Sequence, residues 1–155
     1  MKHYLFNLLI IMCLVFLFCG KSQKDSNSPQ QATIKPLSDF KMQINLKTQI
    51  EQLKANDTTL LTVSITNTGT ETWNPADGIH PYYYILKNDD KPAKSGSVYF
   101  TNIIQPGQSI DMEIKILPAI EPGDYRLQIS MVQENIGFFD KNGAQPILIP
   151  IKIVP

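Results

Sequence analysis

Apolar and polar residues alternate with a period of two in most of the chain beyond its N-terminal region. Phe40, Met42, Ile44 and Leu46 are separated by polar residues, which is typical of a strand with one face toward a core. The clearest strand is predicted over residues 61–66, where apolar residues alternate with Thr and Ser. The same pattern predicts further strands over 79–87, 97–104, 109–117, 124–133 and 147–154.

Turn-forming sequences separate these predicted strands. They include Asn-Thr-Gly-Thr at 67–70 and Pro-Gly at 106–107 and 122–123; Pro presets φ, and Gly or Asn accepts a positive φ. Residues 50–55 are predicted to form a single helical turn. About seven short strands without a long helix indicate an all-β protein, an immunoglobulin-like antiparallel β-sandwich over residues 38–155.

Two prolines bear on the last predicted strand. Pro146 precedes it and Pro150 lies within it. Because proline has no backbone N–H to donate to a neighbouring strand, we expect this strand to lie at a sheet edge or to contain a bulge.

The N-terminal region has the layout of a secretory signal. Lys2 and His3 precede a run of apolar residues that ends at Phe18, and a polar stretch follows at once. A helix of roughly 15 residues is only about 22 Å long, which is shorter than the ~30 Å hydrocarbon core of a bilayer. We therefore expect residues 1–18 to be a cleaved signal peptide.

The apolar run stops on Cys19, as in the lipobox of bacterial lipoproteins, which this region resembles. The resemblance implies that Cys19 is lipidated and anchors the mature chain to a membrane, with acyl chains such as palmitate. Phe16 and Phe18 depart from the usual Leu and small residue, so an uncleaved anchor or an unmodified cysteine is the alternative. Gly20 stands where some lipoproteins carry an acidic retention signal, which favours the outer membrane of the cell envelope.

Residues 19–37 are predicted to form a flexible tether. They are rich in Ser, Gln, Asn and Lys and contain few apolar residues, so they cannot bury enough surface to offset the entropy of ordering. The chain has two cysteines, Cys13 and Cys19, and none follows. The folded domain therefore has no disulfide and no thiolate metal site.

Charge and chemistry exclude several function classes. The formal net charge is zero, and no basic stripe indicates a nucleic-acid partner. His80 is the single histidine after the signal and has no cysteine partner, so we expect a strand-edge or loop residue and no metal site. Acidic pairs such as Asp111 and Glu113 belong to a predicted solvent face. We therefore predict no catalytic residues, no cofactor and no enzyme activity.

Several motifs together resemble a known family. An Asn-Thr-Gly-Thr turn leads into Trp73, and a Pro-Gly-x-Tyr strand begins at Pro122. With residues 104–108, 131–134 and the Phe138-Phe139 pair, this order is similar to bacterial immunoglobulin-like modules related to the NBR1 central domain, the four-tryptophan domain. The resemblance implies the fold and an accessory role. Only Trp73 is present, and Phe138 stands where such modules commonly carry Trp.

The aromatic residues are the strongest candidates for a ligand surface. Tyr82, Tyr83 and Tyr84 are consecutive on a predicted strand, so Tyr82 and Tyr84 share one face. We expect at least one of the three to be exposed unless a loop covers it, and we take Trp73, Tyr82, Tyr84 and Phe138 as the possible ligand surface. For Trp73 a core position is the favoured alternative. Tyr125 is predicted to form a structural tyrosine corner.

Three functions remain open at this stage. The first is a non-enzymatic, lipid-anchored binding module of the cell envelope with a protein or glycan ligand. The second is a small β-sandwich proteinase inhibitor that presents residues 88–97 as an exposed, rigid loop. The third is a structural envelope lipoprotein without a discrete ligand, for which a fully polar surface is expected.

Overall fold

The computed structural model describes residues 34–155, which form nine strands and two short 3-10 helices. The predicted signal peptide, Cys19 and most of the predicted tether lie outside the described residues. The strands are β1 (Met42–Leu46), β2 (Gln52–Lys54), β3 (Thr59–Asn67), β4 (Ile79–Leu86), β5 (Pro92–Ser97), β6 (Ser109–Ile116), β7 (Gly123–Gln133), β8 (Gly137–Phe138) and β9 (Ile147–Val154). The 3-10 helices span Pro75–Asp77 and Asp140–Asn142.

The strands form two sheets that pack as a sandwich. The smaller sheet has the order β1-β3-β6, and the larger has the order β2-β9-β7-β4-β5, with β8 paired to the end of β7. All pairs are antiparallel except β2 with β9. The prediction of an all-β, immunoglobulin-like sandwich is confirmed.

The core lies between the inner faces of the sheets. Leu61, Val63 and Ile65 of β3 are fully buried, as their alternation predicts. They face a layer from the larger sheet that includes Ile85 of β4 and Ile129 of β7, both also fully buried. Inward residues at every second position on both sheets therefore give the domain one continuous core.

Two element predictions were wrong. Residues 50–55 contain the strand β2, because Leu53 is buried at 1% exposure and Gln52–Lys54 pairs with the end of β9. Residues 98–104 form no strand, since this segment leaves β4 after Val98 N donates to Pro81 O and reaches the smaller sheet with an isolated bridge from Ile104 to Trp73. Tertiary pairing decided both outcomes.

The strand β5 was placed in a loop by the sequence pattern and is an edge strand of the larger sheet. Gly96 is paired with Tyr83 of β4, whose ring lies directly over it. A Cβ atom at Gly96 would lie 2.5 Å from Tyr83 Cε1. The glycine that weakens the strand signal in the sequence is therefore what allows β5 to pair with β4.

The backbone of β9 explains how it accommodates Pro150. The N–H of Lys152 points toward β2 and donates to Glu51 O at 2.9 Å. Pro150 lies two positions earlier, so its missing N–H faces the same side, where β2 does not reach. The expectation of an edge strand therefore holds for the first part of β9, and the part beside β2 is interior.

The last residues of the predicted tether pack against the domain. Leu37 is 7% exposed, and its N–H donates to Gln133 Oε1 at 2.8 Å. Gln133 is fully buried and donates through Nε2 to Lys35 O at 2.7 Å. Residues 35–37 therefore pack against the domain, because a buried glutamine supplies the hydrogen bonds that this segment needs.

Glu71 holds the segment next to Leu37. Its Oε2 accepts hydrogen bonds from Ser38 N at 2.6 Å, Ser38 Oγ at 2.9 Å and Asp39 N at 3.0 Å. These donors, with Ser38 first, hold the pKa of Glu71 below its ordinary value. The contacts join the N-terminal segment to the turn that follows β3.

The predicted tyrosine corner is confirmed. The hydroxyl of Tyr125, near the start of β7, donates to Glu121 O at 2.9 Å, four residues upstream.

Within residues 34–155, no helix has the length and apolarity needed to cross a bilayer.

Candidate functional site

The candidate site is a groove on the outer face of the larger sheet. Because side chains alternate along β4, His80, Tyr82 and Tyr84 all point away from the core, beside Ser130 and Val132 of β7. The outer-face groove has a volume of about 600 Å³. Its lining comprises His80, Tyr82, Tyr84, Ser95, Gly96, Ser97, Val132, Gln133, Glu134, Asn135, Ile136, Gly137 and Phe138.

Three aromatic rings form the apolar part of the groove. The Tyr82 ring centroid lies 5.0 Å from that of Tyr84 and 5.0 Å from that of Phe138, with interplanar angles of 70° and 66°. Tyr82 is 5% exposed and Phe138 is 38% exposed. Edge-to-face packing therefore fixes Tyr82 between two rings that are more open to solvent.

A carboxylate fixes Tyr82 from the other side. The Tyr82 hydroxyl donates to Asp140 Oδ1 at 2.5 Å, and the Asp140 side chain is 8% exposed. Burial, followed by this hydrogen bond, raises the pKa of Tyr82 far above its ordinary value of 10.0. The phenol therefore stays neutral and oriented, and it acts as a fixed part of the groove floor.

The segment after β7 covers the sheet because of two adjacent phenylalanines. Phe139 is fully buried, packs edge-to-face on Trp73 at 5.5 Å and on Phe40 at 5.1 Å, and its N–H donates to Met131 O at 2.9 Å. Phe138 points the opposite way, onto Tyr82. The buried Phe139 therefore anchors the segment that presents Phe138 to the groove.

The turn between β7 and β8 places polar groups at one end of the groove. Asn135 has a φ of 61°, a left-handed conformation that Asn tolerates better than most residues, and Ile136 N donates to Gln133 O at 3.1 Å. This turn exposes Ile136 at 43% and the Glu134 side chain at 49%.

Glu134 contacts two aromatic side chains. His80 Nε2 lies 3.0 Å from Glu134 Oε1, and the Tyr99 hydroxyl donates to the same oxygen at 3.2 Å. The ring of Tyr99 lies 4.4 Å from that of His80, whose Nδ1 is 2.9 Å from Pro81 O. His80 is therefore a buried residue within β4, with 3% exposure. The expectation of a strand-edge or loop residue was wrong.

The structure places the four predicted ligand-surface residues in two locations. Tyr82, Tyr84 and Phe138 meet in the outer-face groove. Trp73 is fully buried in the core beside Phe139, so its assignment to the ligand surface is wrong, and the core alternative holds. Tyr82 and Tyr83 are buried and Tyr84 is partly exposed. The expectation of an exposed tyrosine was therefore wrong, and the segment carrying Phe138 and Asp140 covers Tyr82.

Sequence reasoning missed Glu134, Ile136 and Tyr99 as groove or rim residues. Glu134 belongs to residues 131–134 of the resemblance but was given no role there, and Tyr99 lies in a segment that was expected to be a strand. Their proximity depends on the turn after β7 and on the path of the chain after β5.

Within the described residues, no cluster of three or more His, Cys, Asp or Glu side chains has metal-site geometry.

No family model and no curated protein matches this chain. Among solved structures, it is similar to the CARDB domain of PF1109 from Pyrococcus furiosus, with 16% identity, 73% and 94% of the two chains covered, and a TM-score of 0.47. It is also similar to a Niemann-Pick type C2 protein from Japanese carpenter ant, with 8% identity, 72% and 89% coverage, and a TM-score of 0.49. A β-glucosidase from Listeria innocua matches at 11% identity and a TM-score of 0.42, over 74% of this chain and 16% of the enzyme.

Proposed function

We propose that this protein is a lipid-anchored binding module of the cell envelope that holds a protein or glycan ligand in the outer-face groove and performs no catalysis. The observation that supports this function most directly is the aromatic groove itself. A concave site of about 600 Å³ with rigid rings and a few polar groups has the composition of a ligand site. The rings of Tyr82, Tyr84 and Phe138 supply contact area at low entropic cost.

An array of bacterial envelope saccharides and peptides, probed with the labelled full chain, tests the groove. We expect binding to at least one class of ligand, and we expect Phe138→Ala to weaken it about tenfold or more. Leu60→Ala is the matched control, because Leu60 is an exposed apolar side chain, 51% exposed, on the other sheet. Binding that survives Phe138→Ala unchanged, or no binding to any member of the array, would contradict the proposal.

The anchor is a separate part of the proposal and depends on Cys19. Two or three acyl chains on this residue would attach the domain stably, since one chain alone binds a membrane weakly. The measurement is the intact mass of the protein purified from its native membrane, where diacylglyceryl or triacylated Cys19 without residues 1–18 is expected. An unmodified chain that keeps residues 1–18 would contradict it.

The inhibitor alternative receives less support from the geometry of residues 88–97. Most of this segment is the edge strand β5, and the turn before it is closed by Lys87 N donating to Lys91 O at 2.9 Å. An inhibitory loop is expected to project from the scaffold, whereas this segment is a β-hairpin.

The purely structural alternative predicts a fully polar surface, and the exposed rings of Tyr99 and Phe138 count against it.

A further inference from the structure

We propose that the ligand presents an ammonium or quaternary ammonium group to the outer-face groove. This inference rests on the proposed binding function and specifies the chemistry of the ligand. The sources of such a group include a choline headgroup and an amino sugar. The charge of the lining, the hydrogen bonds of Glu134 and the arrangement of the rings support the inference.

The lining of the groove is electrostatically one-sided. It contains no lysine and no arginine, and its exposed charged group is the carboxylate of Glu134. His80 is not accessible to a ligand, because its side chain is 4% exposed and its Nε2 lies 3.0 Å from Glu134 Oε1. The accessible charge of this lining is negative, so a cation is the charge that complements it.

Glu134 has capacity left for a ligand. His80 and Tyr99 both contact Oε1, and within residues 34–155 no hydrogen bond involves Oε2. An ionised carboxylate offers about four acceptor sites, so one oxygen remains to face a cation. The two contacts at Oε1 fix the side chain and reduce the entropy lost when a ligand binds.

The aromatic rings provide the second element of a cation site. The face of an aromatic ring carries negative electrostatic potential and attracts ammonium groups within about 6 Å of its centroid. Phe138 and Tyr84 flank Tyr82 at 5.0 Å on each side, and all three line the same groove as Glu134. Rings that share a groove with a carboxylate are the kind of aromatic site that recognises quaternary ammonium groups.

Two matched pairs of small probes test the inference with the full chain in polyoxyethylene micelles. Choline is compared with 3,3-dimethylbutanol, its neutral isostere, and glucosamine is compared with N-acetylglucosamine. Binding is followed by chemical-shift changes at Tyr84, Glu134 and Phe138. We expect the cation of at least one pair to bind about tenfold more tightly than its neutral partner, and the successful pair identifies the source of the ammonium group.

Variants then locate the effect. We expect Glu134→Gln and Phe138→Leu each to weaken binding of the cationic probe about tenfold. The control variant Glu113→Gln, at an exposed carboxylate on the other sheet, should leave this binding unchanged. If either groove variant unfolds, the other variant and the probe pairs still test the inference.

The possible failures are distinguishable. Neutral probes that bind in the groove as tightly as their cations would overturn the ammonium assignment and leave the groove function standing. Cations that shift no groove resonance would also overturn the assignment, and the array experiment would then decide the proposed function by itself. If wild type binds no member of the array and neither cation shifts a groove resonance, both proposals are removed.

Discussion

The hydroxyl of Tyr82 donates a 2.5 Å hydrogen bond to Asp140, and this contact joins the centre of the larger sheet to the segment folded over it. Asp140 begins the 3-10 helix Asp140–Asn142 and is nearly buried, with its second oxygen 3.7 Å from Lys141 Nζ. The pair therefore couples the floor of the outer-face groove to the element that carries Phe138.

Removing the Tyr82 hydroxyl should destabilise the domain. Tyr82→Phe leaves a nearly buried carboxylate without its shortest hydrogen bond, so we expect the free energy of unfolding to fall by about 1–3 kcal/mol. Urea denaturation measures the change. Tyr84→Phe, at the neighbouring and more exposed ring, is the control and should change stability by less than half as much. An equal loss in both variants would contradict a specific role for Asp140.

The same tyrosine predicts a loss of stability in alkali. Burial and Asp140 raise the pKa of Tyr82 above its ordinary value of 10.0, so the folded state keeps a proton that the unfolded state releases above pH 10. Tyr82 should therefore lower stability by about 1.4 kcal/mol per pH unit above pH 10. Below pH 10 the stabilisation that protonated Tyr82 gives the folded state is fully present. Denaturation at several pH values should give a steeper decline for wild type than for Tyr82→Phe, and parallel declines would refute the expectation.

Glu71 predicts sensitivity to acid. Its pKa is lowered by the donors of Ser38 and Asp39 from an ordinary value of 4.5, so its stabilisation is present above pH 4.5 and is lost as the pH falls through the lower, folded value. We expect Glu71→Gln to reduce the free energy of unfolding by about 1 kcal/mol at pH 7. The difference from wild type should shrink below pH 4.5 and disappear near pH 2. A difference independent of pH would show that charge is not involved.

Gly96 should tolerate no side chain. In Gly96→Ala, the added Cβ would overlap the Tyr83 ring at 2.5 Å, and we expect a loss of about 1–3 kcal/mol as β5 or the ring shifts. Ser95→Ala, on the outward face of the same strand, is the matched control and should be nearly neutral. Thermal unfolding compares the two variants. If Gly96→Ala were as stable as Ser95→Ala, the close packing of β5 on Tyr83 would not constrain this position.

Some elements were predictable because their signals are local. The alternation in β3 requires one buried face in any sheet, and the hydroxyl of Tyr125 reaches a carbonyl only four residues away. The turn after β3 is equally local, since Gly69 N donates to Asn67 Oδ1 at 3.0 Å. Each of these features depends on chemistry within a few residues, which the sequence displays directly.

The site was predictable only in part. The period of two places Tyr82 and Tyr84 on one face, but it does not say which face looks outward or what covers it. Phe138 joins them and Trp73 does not, because the turn after β7 sends Phe138 outward while Phe139 packs on Trp73 in the core. Two adjacent phenylalanines with no distinguishing sequence signal therefore have opposite roles.

The sequence by itself determined that the chain folds as a β-sandwich, because the alternation of apolar residues and the turn chemistry act over short distances. Tertiary structure decided the rest. Gly96 became part of an edge strand because of the ring of Tyr83, and Glu134 came beside His80 across 54 positions of the chain. Contacts between residues so far apart follow from how the sheets pair and how loops fold over them, and no local pattern records them.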